Sequence, residues 1–571
     1  MWAVVGSRPA HRTRTALGAA VAGDAFDFSP GAQIPVSGGA GQTAATQALA
    51  SAAYRDGPVD QLLKANSDWA ASAVTPARIS LFEPNLGEAF SRAVQQRMLG
   101  GGRKPLIQSF GLEPQVIVEH CLAASRIRKQ RDSRLSIIMI VFGLLFLPGV
   151  LLWLGGFQLR RTLAGAQNKR AGALGTALLA ALAVLGVIFL VKLPFNGFWG
   201  IYLRAMIVAP LIGGALAKTI CERTAKDLRE RWTGLLAGGG IGAKIPEAVP
   251  QTPGEKAAEQ LRRSLEQVSA EQQSNVAFYA GPKGILGMGT RWGSWQLAEE
   301  LTPGESGREI QPFRSWDIVR AVHDQLKLLE RTPINSGGLP APRIEHWIIS
   351  PIGEGAGAVS RPAGSDGGTY QIRGPRLQEI CDKQHFGSGE RHYLGVQFVL
   401  WDGQLVITML VNVTVLHKTL RIEVTGHALG PTHALFNGKP SNRTKKFKKG
   451  IKFWETWERT LPVVEPREVV RLTARAPLTW YPPLLEYWGG KLVLPEPFGL
   501  RHAWADKPWR HRFMADDALR AATPVLRVVH EAALRVLAEH GVDTGRFGNR
   551  ANFLSGAIQD PAPRQADVYN A

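Results

Sequence analysis

The sequence predicts a membrane-anchored α+β protein, in which a helical transmembrane cluster is followed by a cytoplasmic domain with an antiparallel sheet and packed helices. Three observations support this prediction. Long apolar segments lie in the first half of the chain, alternating strands follow them, and amphipathic helices flank those strands. Because 571 residues exceed the usual size of one domain, we expect two or three folded units.

The membrane region is predicted over residues 135–217. Its first segment, 135–157, contains no charged residue and, at about 1.5 Å per residue, is long enough for a hydrocarbon core of roughly 30 Å. Segment 172–191 is also free of charge, whereas segment 198–217 contains Arg204. The short connection between the last two segments predicts an antiparallel helical hairpin.

Basic residues flank these segments unevenly. They are dense before the first segment, between the first and second, and after the third, whereas the loop between the second and third contains only Lys192. Because Lys and Arg are retained on the cytoplasmic side of short loops, three of the four flanks are predicted to be cytoplasmic. All three of these flanks lie in the cytoplasm if the first segment bends around Pro148 and Gly149 and leaves the membrane on the side that it entered. Three ordinary crossings are the alternative, and both topologies leave the large carboxy-terminal domain in the cytoplasm.

Arg204 is a charge inside an apolar segment. Such a charge costs free energy unless its side chain snorkels to the interface or finds a partner. Since Arg204 lies about a turn and a half into its segment, we expect it to snorkel. A role in a conduction or substrate path is the alternative, and it would require an oligomer to enclose a pore.

The remaining sequence divides by composition. The first residues are rich in small and polar side chains with little to bury, which predicts disorder, and a signal peptide is the less favoured interpretation. The predicted units are a disordered leader (1–57), a small helical region (58–134), a juxtamembrane helix with a Pro/Gly linker (218–252), the cytoplasmic α+β domain (253–557) and a flexible tail (558–571).

Periodicity and capping signals place the elements of the soluble regions. Asp402 and Gly403 predict a hairpin turn, because these residues tolerate a positive φ. Helices are predicted over 86–99, 114–134, 253–273, 315–330 and 516–540, and strands over 275–279, 343–350, 392–401, 404–416 and 421–427.

The formal charge of +20 predicts anionic partners. The anionic surface of the bilayer is the nearest such partner. We therefore expect contacts with membrane lipid, including anionic lipids, and with an unidentified protein partner, but not with nucleic acid. The three cysteines form no CxxC pair, which argues against a cysteine zinc site or a disulfide framework. No cofactor is predicted.

One basic stretch is interleaved with aromatic residues. Cations beside aromatic rings suit an anionic lipid surface, while a solvated loop with a few core aromatics is the alternative. The residues predicted to contact lipid are Lys445, Lys446, Lys448, Lys449, Lys452 and Trp454.

No GxSxG elbow, HExxH helix or Walker lysine appears in the sequence. The densest group of titratable residues lies at 501–513 (RHAWADKPWRHRF). His502 and Asp506 are four residues apart and would form an acid–base pair if they met on one helical turn. Pro508 argues against such a helix, and structural packing with surface charge is the alternative.

Three stretches, 275–295, 401–416 and 498–533, resemble uncharacterised membrane proteins of Streptomyces-type actinobacteria. The resemblance covers most of residues 120–560. It implies membrane location and architecture but no activity, and it transfers no functional residue.

The leading hypothesis is therefore a non-enzymatic, membrane-anchored interaction or scaffold module in the cell membrane. A membrane-bound enzyme that uses residues 501–511 is the first alternative. An oligomeric transporter or channel is the second.

Overall fold

The protein is a mixed α+β structure with a helical amino-terminal part and a sheet in its carboxy-terminal part. It was obtained as a computed structural model. The structure describes residues 42–65, 74–100, 105–155, 197–238, 254–281, 284–304, 309–331, 340–352, 371–383, 389–441, 444–448, 456–494 and 498–556, with seven single positions (180, 181, 184, 186, 188, 248 and 252).

Six strands form the main sheet in the order β2-β4-β5-β6-β7-β3. All neighbouring pairs are antiparallel except β2 and β4 at one edge, which are parallel. The prediction of a purely antiparallel sheet is therefore corrected at that edge. The strands are β2 Val276–Tyr279, β3 Thr290–Glu300, β4 Arg343–Pro351, β5 Arg391–Leu400, β6 Leu405–Leu416 and β7 Thr419–Leu429.

Two tight turns set the register of the central strands. Residues 401–404 join β5 to β6. Within this connection Trp401, Asp402 and Gly403 have a positive φ of 53°, 52° and 79°, which confirms the predicted positive φ of Asp402 and Gly403. His417 and Lys418 join β6 to β7 in a two-residue turn, and both have a positive φ although neither is glycine.

Helices cover the sheet and complete its core. Ile318, Val322 and Leu326 of helix Ser315–Arg331 pack with Val525 and Val529 against the buried residues of β5, β6 and β7. Burial of these side chains is the main favourable term for this part of the fold. The helices of this part are Ser315–Arg331, Gly374–Lys383, Arg512–Glu539 and Gly545–Gly556.

The helical part contains most of the remaining elements. Its α-helices are Ala44–Ser51, Asp60–Lys64, Leu86–Leu99, Pro114–Ile138, Phe198–Leu236, Lys256–Gln272, Ala434–Asn437, Pro466–Arg475, Pro482–Gly489 and Leu500–Ala503, and three 3-10 helices occupy Ala52–Tyr54, Ser80–Phe82 and Ala476–Trp480. Two small antiparallel sheets pair β1 (Val74–Thr75) with β10 (Lys491–Leu492), and β8 (Thr444–Lys448) with β9 (Thr456–Thr460).

The core of the helical part is built from both ends of the chain. Leu49 and Phe90 lie in the same cluster as Phe436, Phe498 and Trp504, and the ring centroids of Phe90 and Trp504 are 5.0 Å apart. The predicted domain boundary at residue 253 is therefore not a boundary of packing. Sequence periodicity reports which face of an element is buried but not which distant element covers it.

The predicted disordered leader is corrected over its last residues. Helix Ala44–Ser51 and the 3-10 helix Ala52–Tyr54 are buried in the helical part, and Thr43 accepts a hydrogen bond from the Thr46 amide at the helix start. Alanines pack here because little space is left between neighbouring helices. Residues 1–41 and 557–571 lie outside the described part of the chain.

Candidate membrane-contact site

Two described stretches have the length and hydropathy needed to enter a bilayer. Helix Phe198–Leu236, here called the apolar helix, meets the criterion for a crossing alone. Pro114–Leu144 and Leu147–Gly155 meet it together, but they are bent by 93° at the break between them. Residues 135–155 are called the bent segment below. Of predicted segment 172–191, only single helical positions are described.

The apolar surfaces of these two stretches are exposed. Only 22% of the most apolar part of the apolar helix is buried, so most of its apolar surface faces outwards. Trp199 is 67% exposed and Leu151 is 61% exposed. Contiguous apolar surface of this kind marks a contact with lipid or with another protein. The exposed large apolar residues here are Ile137, Ile140, Val141, Leu144, Leu145, Leu147, Leu151, Leu152, Phe198, Trp199, Ile201, Val208, Leu211, Ile212 and Leu216.

The bend is located where the backbone loses its regular hydrogen bonds. Residues Met139–Leu144 form a π-helical turn, and Pro148 provides no backbone N–H beyond it. The Leu145 carbonyl, at the break, accepts a hydrogen bond of 2.9 Å from the Tyr202 hydroxyl of the apolar helix. The neighbouring rings of Phe146 and Tyr202 stack at 5.6 Å. The apolar helix therefore supplies a donor to a carbonyl that the bend exposes.

The reverse contact occurs where Pro210 interrupts the apolar helix. Without an N–H on Pro210, the Met206 carbonyl lacks its usual helical donor. Gly149 packs directly against this carbonyl, since a Cβ at position 149 would lie 1.8 Å from the Met206 oxygen. The next carbonyl, of Ile207, accepts a hydrogen bond of 3.0 Å from Trp153 Nε1. Each stretch thus satisfies polar backbone groups of the other.

Close packing continues towards the soluble part. A Cβ on Gly213 would lie 2.6 Å from Phe142 Cβ, so this glycine lets the helices approach closely. A Cβ on the neighbouring Gly214 would meet nothing within 4 Å. Ala217 is buried with Leu135, beside Ala476 at the start of a 3-10 helix.

Tyr202→Phe should weaken the helix pair by about 1–3 kcal/mol, because the Leu145 carbonyl would lose its side-chain donor in an apolar setting. Denaturant unfolding of the purified protein in one detergent measures this loss. Tyr481→Phe, which changes a 62% exposed tyrosine, is the matched control. Equal stabilities of the two variants would show that the hydroxyl does not cap the bend.

Exposed cations lie just outside the apolar surface. Lys129 and Arg134 precede the bent segment, and Lys218, Arg223 and Lys226 follow the apolar part of the apolar helix. Their placement is the one expected for residues that meet lipid head groups. Arg204 is also exposed, on the apolar helix itself.

A cavity of about 670 Å³ opens beside this junction. Four arginines line it. Arg229 pairs with Asp56 at 3.0 Å, Arg471 pairs with Glu468 at 2.7 Å, and Arg131 pairs with Asp132 just outside the wall. Carboxylates thus neutralise three of the four, and the fourth, Arg467, is exposed.

The predicted lysine-rich lipid contact is described only in part. Lys445, Lys446 and Lys448 lie on β8, and nothing is described of their side chains. Lys449, Lys452 and Trp454 lie outside the described residues. This contact stays a prediction.

The predicted pair His502 and Asp506 does not share a helical turn. Helix Leu500–Ala503 ends before Asp506, whose carboxylate accepts hydrogen bonds from Arg510 and from the Lys507 amide. The structure instead buries Arg501 completely, and its guanidinium donates to the carbonyls of Gln404 and Gly430 at 2.8 and 2.6 Å. Burial lowers the pKa of Arg501 to about 9. This arginine ties the segment to the sheet, a structural role.

Most of the sheet, its covering helices and this segment lie within residues 294–561, whereas β2 and the first residues of β3 precede that range. Residues 294–561 match the AbeC-like domain family. The family is uncharacterised, and the matched range is just under half of the 571 residues. No curated protein and no solved structure matches the chain. The apolar stretches lie outside the AbeC-like domain, and the resemblance to actinobacterial membrane proteins stays a prediction.

Three histidines meet inside the AbeC-like domain. His323 on helix Ser315–Arg331 packs against His346 of β4, with ring centroids 4.7 Å apart and the planes tilted by 39°, and His346 Nδ1 lies 3.0 Å from His392 Nε2 of β5. Sequence spacing provides no signal for this cluster, because its members lie on three separate elements. Among the described residues no group of three His, Cys, Asp or Glu side chains has a geometry that could hold a metal ion. The cluster is therefore assigned to packing between helix and sheet.

The AbeC-like domain should lose stability as the pH falls below about 6.5. Burial, with His323 and Lys327 nearby, lowers the pKa of His346 to about 4, and burial with His346 nearby lowers that of His392 to about 3. Below pH 6.5 the unfolded chain therefore binds more protons, and stability decreases towards the folded-state pKa values.

At pH 5 each of these histidines would cost up to about 2 kcal/mol. Urea unfolding at pH 7.5 and pH 5 measures the decrease, and His392→Gln should make it smaller. His120, His427 and His530 are also buried with pKa values lowered to about 4, so the difference between wild type and variant isolates the contribution of the cluster. An unchanged pH profile in His392→Gln would contradict the assignment.

Proposed function

We propose that this chain is an integral protein of the cell membrane whose large soluble part is a cytoplasmic interaction or scaffold module. The supporting observation is the exposed apolar surface of two stretches that pack on each other and donate side-chain hydrogen bonds to each other's carbonyls. In lipid such satisfaction is required, since no water reaches an exposed carbonyl. A water-soluble fold would instead cover the apolar surface.

The rest of the molecule supports a non-catalytic role. Arg501 and the histidine cluster hold elements together, and Asp506 is bonded to Arg510. In the AbeC-like domain helices cover a sheet, and the proposed anchor would hold this domain at the membrane. Such an arrangement suits a domain that binds another protein there. The orientation with this domain in the cytoplasm rests on the basic flanks of the apolar segments.

Extraction of cell membranes with alkaline carbonate tests the anchor. Wild type should remain in the membrane pellet, and Leu151→Lys combined with Ile201→Lys should be released in substantial part, because each lysine is costly in hydrocarbon. Val399→Lys, on an exposed position of β5, is the matched control and should remain in the pellet. Release of intact wild type would refute the anchor.

Orientation and the scaffold role need separate measurements. A reporter active only in the cytoplasm, fused to the carboxy terminus, should be active, and an inactive fusion would refute the orientation. Crosslinking in cells should capture the same protein neighbour with wild type and with His502→Ala/Asp506→Ala. Loss of the cellular phenotype in that double variant, with the neighbour still captured, would favour an enzyme instead.

A further inference from the structure

We propose that the bent segment is a re-entrant wedge, which enters the bilayer beside the apolar helix, turns beyond the midplane near Tyr202 and heads back towards the face it entered. Its exposed side would contact lipid acyl chains. This inference rests on the proposed membrane location and specifies how residues 135–155 use it.

The first argument is the order of contacts along the bent segment. The first arm runs antiparallel to the apolar helix, and the second arm, bent by 93° from the first, contacts positions that lie back towards Ala217. The contacts, in chain order, are Phe142 with Gly213, Leu145 with Tyr202, Gly149 with Met206, and Trp153 with Ile207.

Rise per residue converts this order into depth. From Gly213 to Tyr202 the contacted position moves about 17 Å along the apolar helix, and from Tyr202 to Ile207 it moves back by about 8 Å. If the apolar helix crosses the membrane, Ile207 lies about 15 Å from Ala217 and thus near the middle of a hydrocarbon core of roughly 30 Å. The second arm therefore does not continue to the far side. A span that is merely broken would contact positions nearer Phe198 instead.

The second argument is that the turn is chemically suited to lipid. A bend exposes carbonyl groups, which is expensive in hydrocarbon. Here the Leu145 and Ile207 carbonyls accept side-chain hydrogen bonds across the pair, from Tyr202 and Trp153. Gly149 brings the backbones together at the turn, so lipid does not reach the Met206 carbonyl. The polar groups at this bend face the partner helix, and apolar side chains face outwards.

The third argument is the charge at the two ends of the wedge. Arg134 is exposed immediately before the wedge, and Arg160 and Arg161 follow Gly155 by five and six positions in the sequence. A return to the entry face places these cations on the same side as Lys218, where basic residues are retained. Acyl chains are the partner that fits, because the outward face is apolar and its rim is cationic. A second copy of the chain is the competing occupant.

Site-directed labelling in membrane vesicles tests the path. Ser133→Cys and Gln167→Cys, made separately in the full-length protein, are treated with a membrane-impermeant maleimide in right-side-out and inverted vesicles. The three native cysteines are buried, so unsubstituted protein gives the background. Both positions should react from the same side, with at least a tenfold difference between vesicle orientations. Reaction from opposite sides would refute the wedge.

The occupant and the anchor are tested in the same preparations. A nitroxide on Leu151→Cys should be reached by dissolved oxygen but not by a water-soluble nickel complex, whereas crosslinking of Leu151→Cys between copies would assign the face to a second chain. Carbonate extraction separates the two proposals. If the protein stays in the pellet but the two cysteines react from opposite sides, only the wedge is refuted. If the protein is released, the membrane location is refuted as well.

Discussion

Arg475→Met is expected to lower the free energy of unfolding by about 3–5 kcal/mol, which for many proteins is a large share of total stability. Arg475 is 2% exposed and holds the carboxylate of Glu88 by two hydrogen bonds, of 2.7 and 2.5 Å. The substitution would leave a buried carboxylate with Arg92 as its remaining ion-pair partner. Because the bond joins helix Leu86–Leu99 to helix Pro466–Arg475, both ends of the chain would loosen.

The charge of Glu88 sets the pH range in which its ion pair with Arg475 stabilises the protein. Burial alone would raise the pKa of Glu88, but the guanidiniums of Arg475 and Arg92 outweigh it and hold this pKa below its usual range. The pair therefore stabilises the protein at neutral pH, and its contribution decreases as the pH falls below the unfolded-state value near 4.5.

Denaturant unfolding at pH 7 measures the effect of Arg475→Met, and Glu88→Leu/Arg475→Met is the matched control. The double variant should recover much of the loss, since an apolar pair leaves no unpaired charge. Arg520→Met removes an exposed arginine that pairs with Asp517 and should change little. If Arg475→Met were as mild as Arg520→Met, the ion pair would not hold the helical part together.

Gly149→Ala is expected to separate the bent segment from the apolar helix. An added Cβ would lie 1.8 Å from the Met206 oxygen, and this oxygen is a backbone atom that cannot rotate away. Overpacking of this kind costs typically about 1–3 kcal/mol, and the loss of the Trp153 and Tyr202 hydrogen bonds would add to it.

A disulfide between Phe146→Cys and Tyr202→Cys, introduced into both alanine variants, reports the separation, because these two rings stack at 5.6 Å in the packed pair. Its rate of formation in membranes should fall several-fold in Gly149→Ala. Gly155→Ala is the control from the same segment, since a Cβ there meets nothing within 4 Å. Equal rates in the two alanine variants would mean that Gly149 is not a point of close approach.

Local signals predicted much of the carboxy-terminal fold. Alternation placed the strand at 404–416 correctly, and capping with apolar periodicity placed helix Ser315–Arg331 within one residue of its observed end. β3 was missed, since Gly281–Gly293 was interpreted as turns although the strand begins at Thr290. The parallel edge was missed because pairing direction depends on a crossover that has no local signature.

The membrane-contact site was predicted only in outline. Hydropathy found the apolar segments, and Pro148 with Gly149 indicated the position of a bend. The donors Tyr202 and Trp153 could not be assigned to their carbonyls, because such contacts join residues more than 50 positions apart. His323, His346 and His392 were missed because they lie on three separate elements, and no local spacing brings them together.

The sharing of one core between Phe90 and Trp504 has a consequence for biosynthesis. A ribosome makes the early helices and the apolar stretches several hundred residues before Phe498 and Trp504 emerge. Membrane insertion would precede completion of the helical core. Leu49 and Phe90 would therefore lack their contacts with Phe498 and Trp504 while the AbeC-like domain is translated. A truncated product ending before residue 498 would keep that surface open, and we expect it to be recognised by chaperones and proteases.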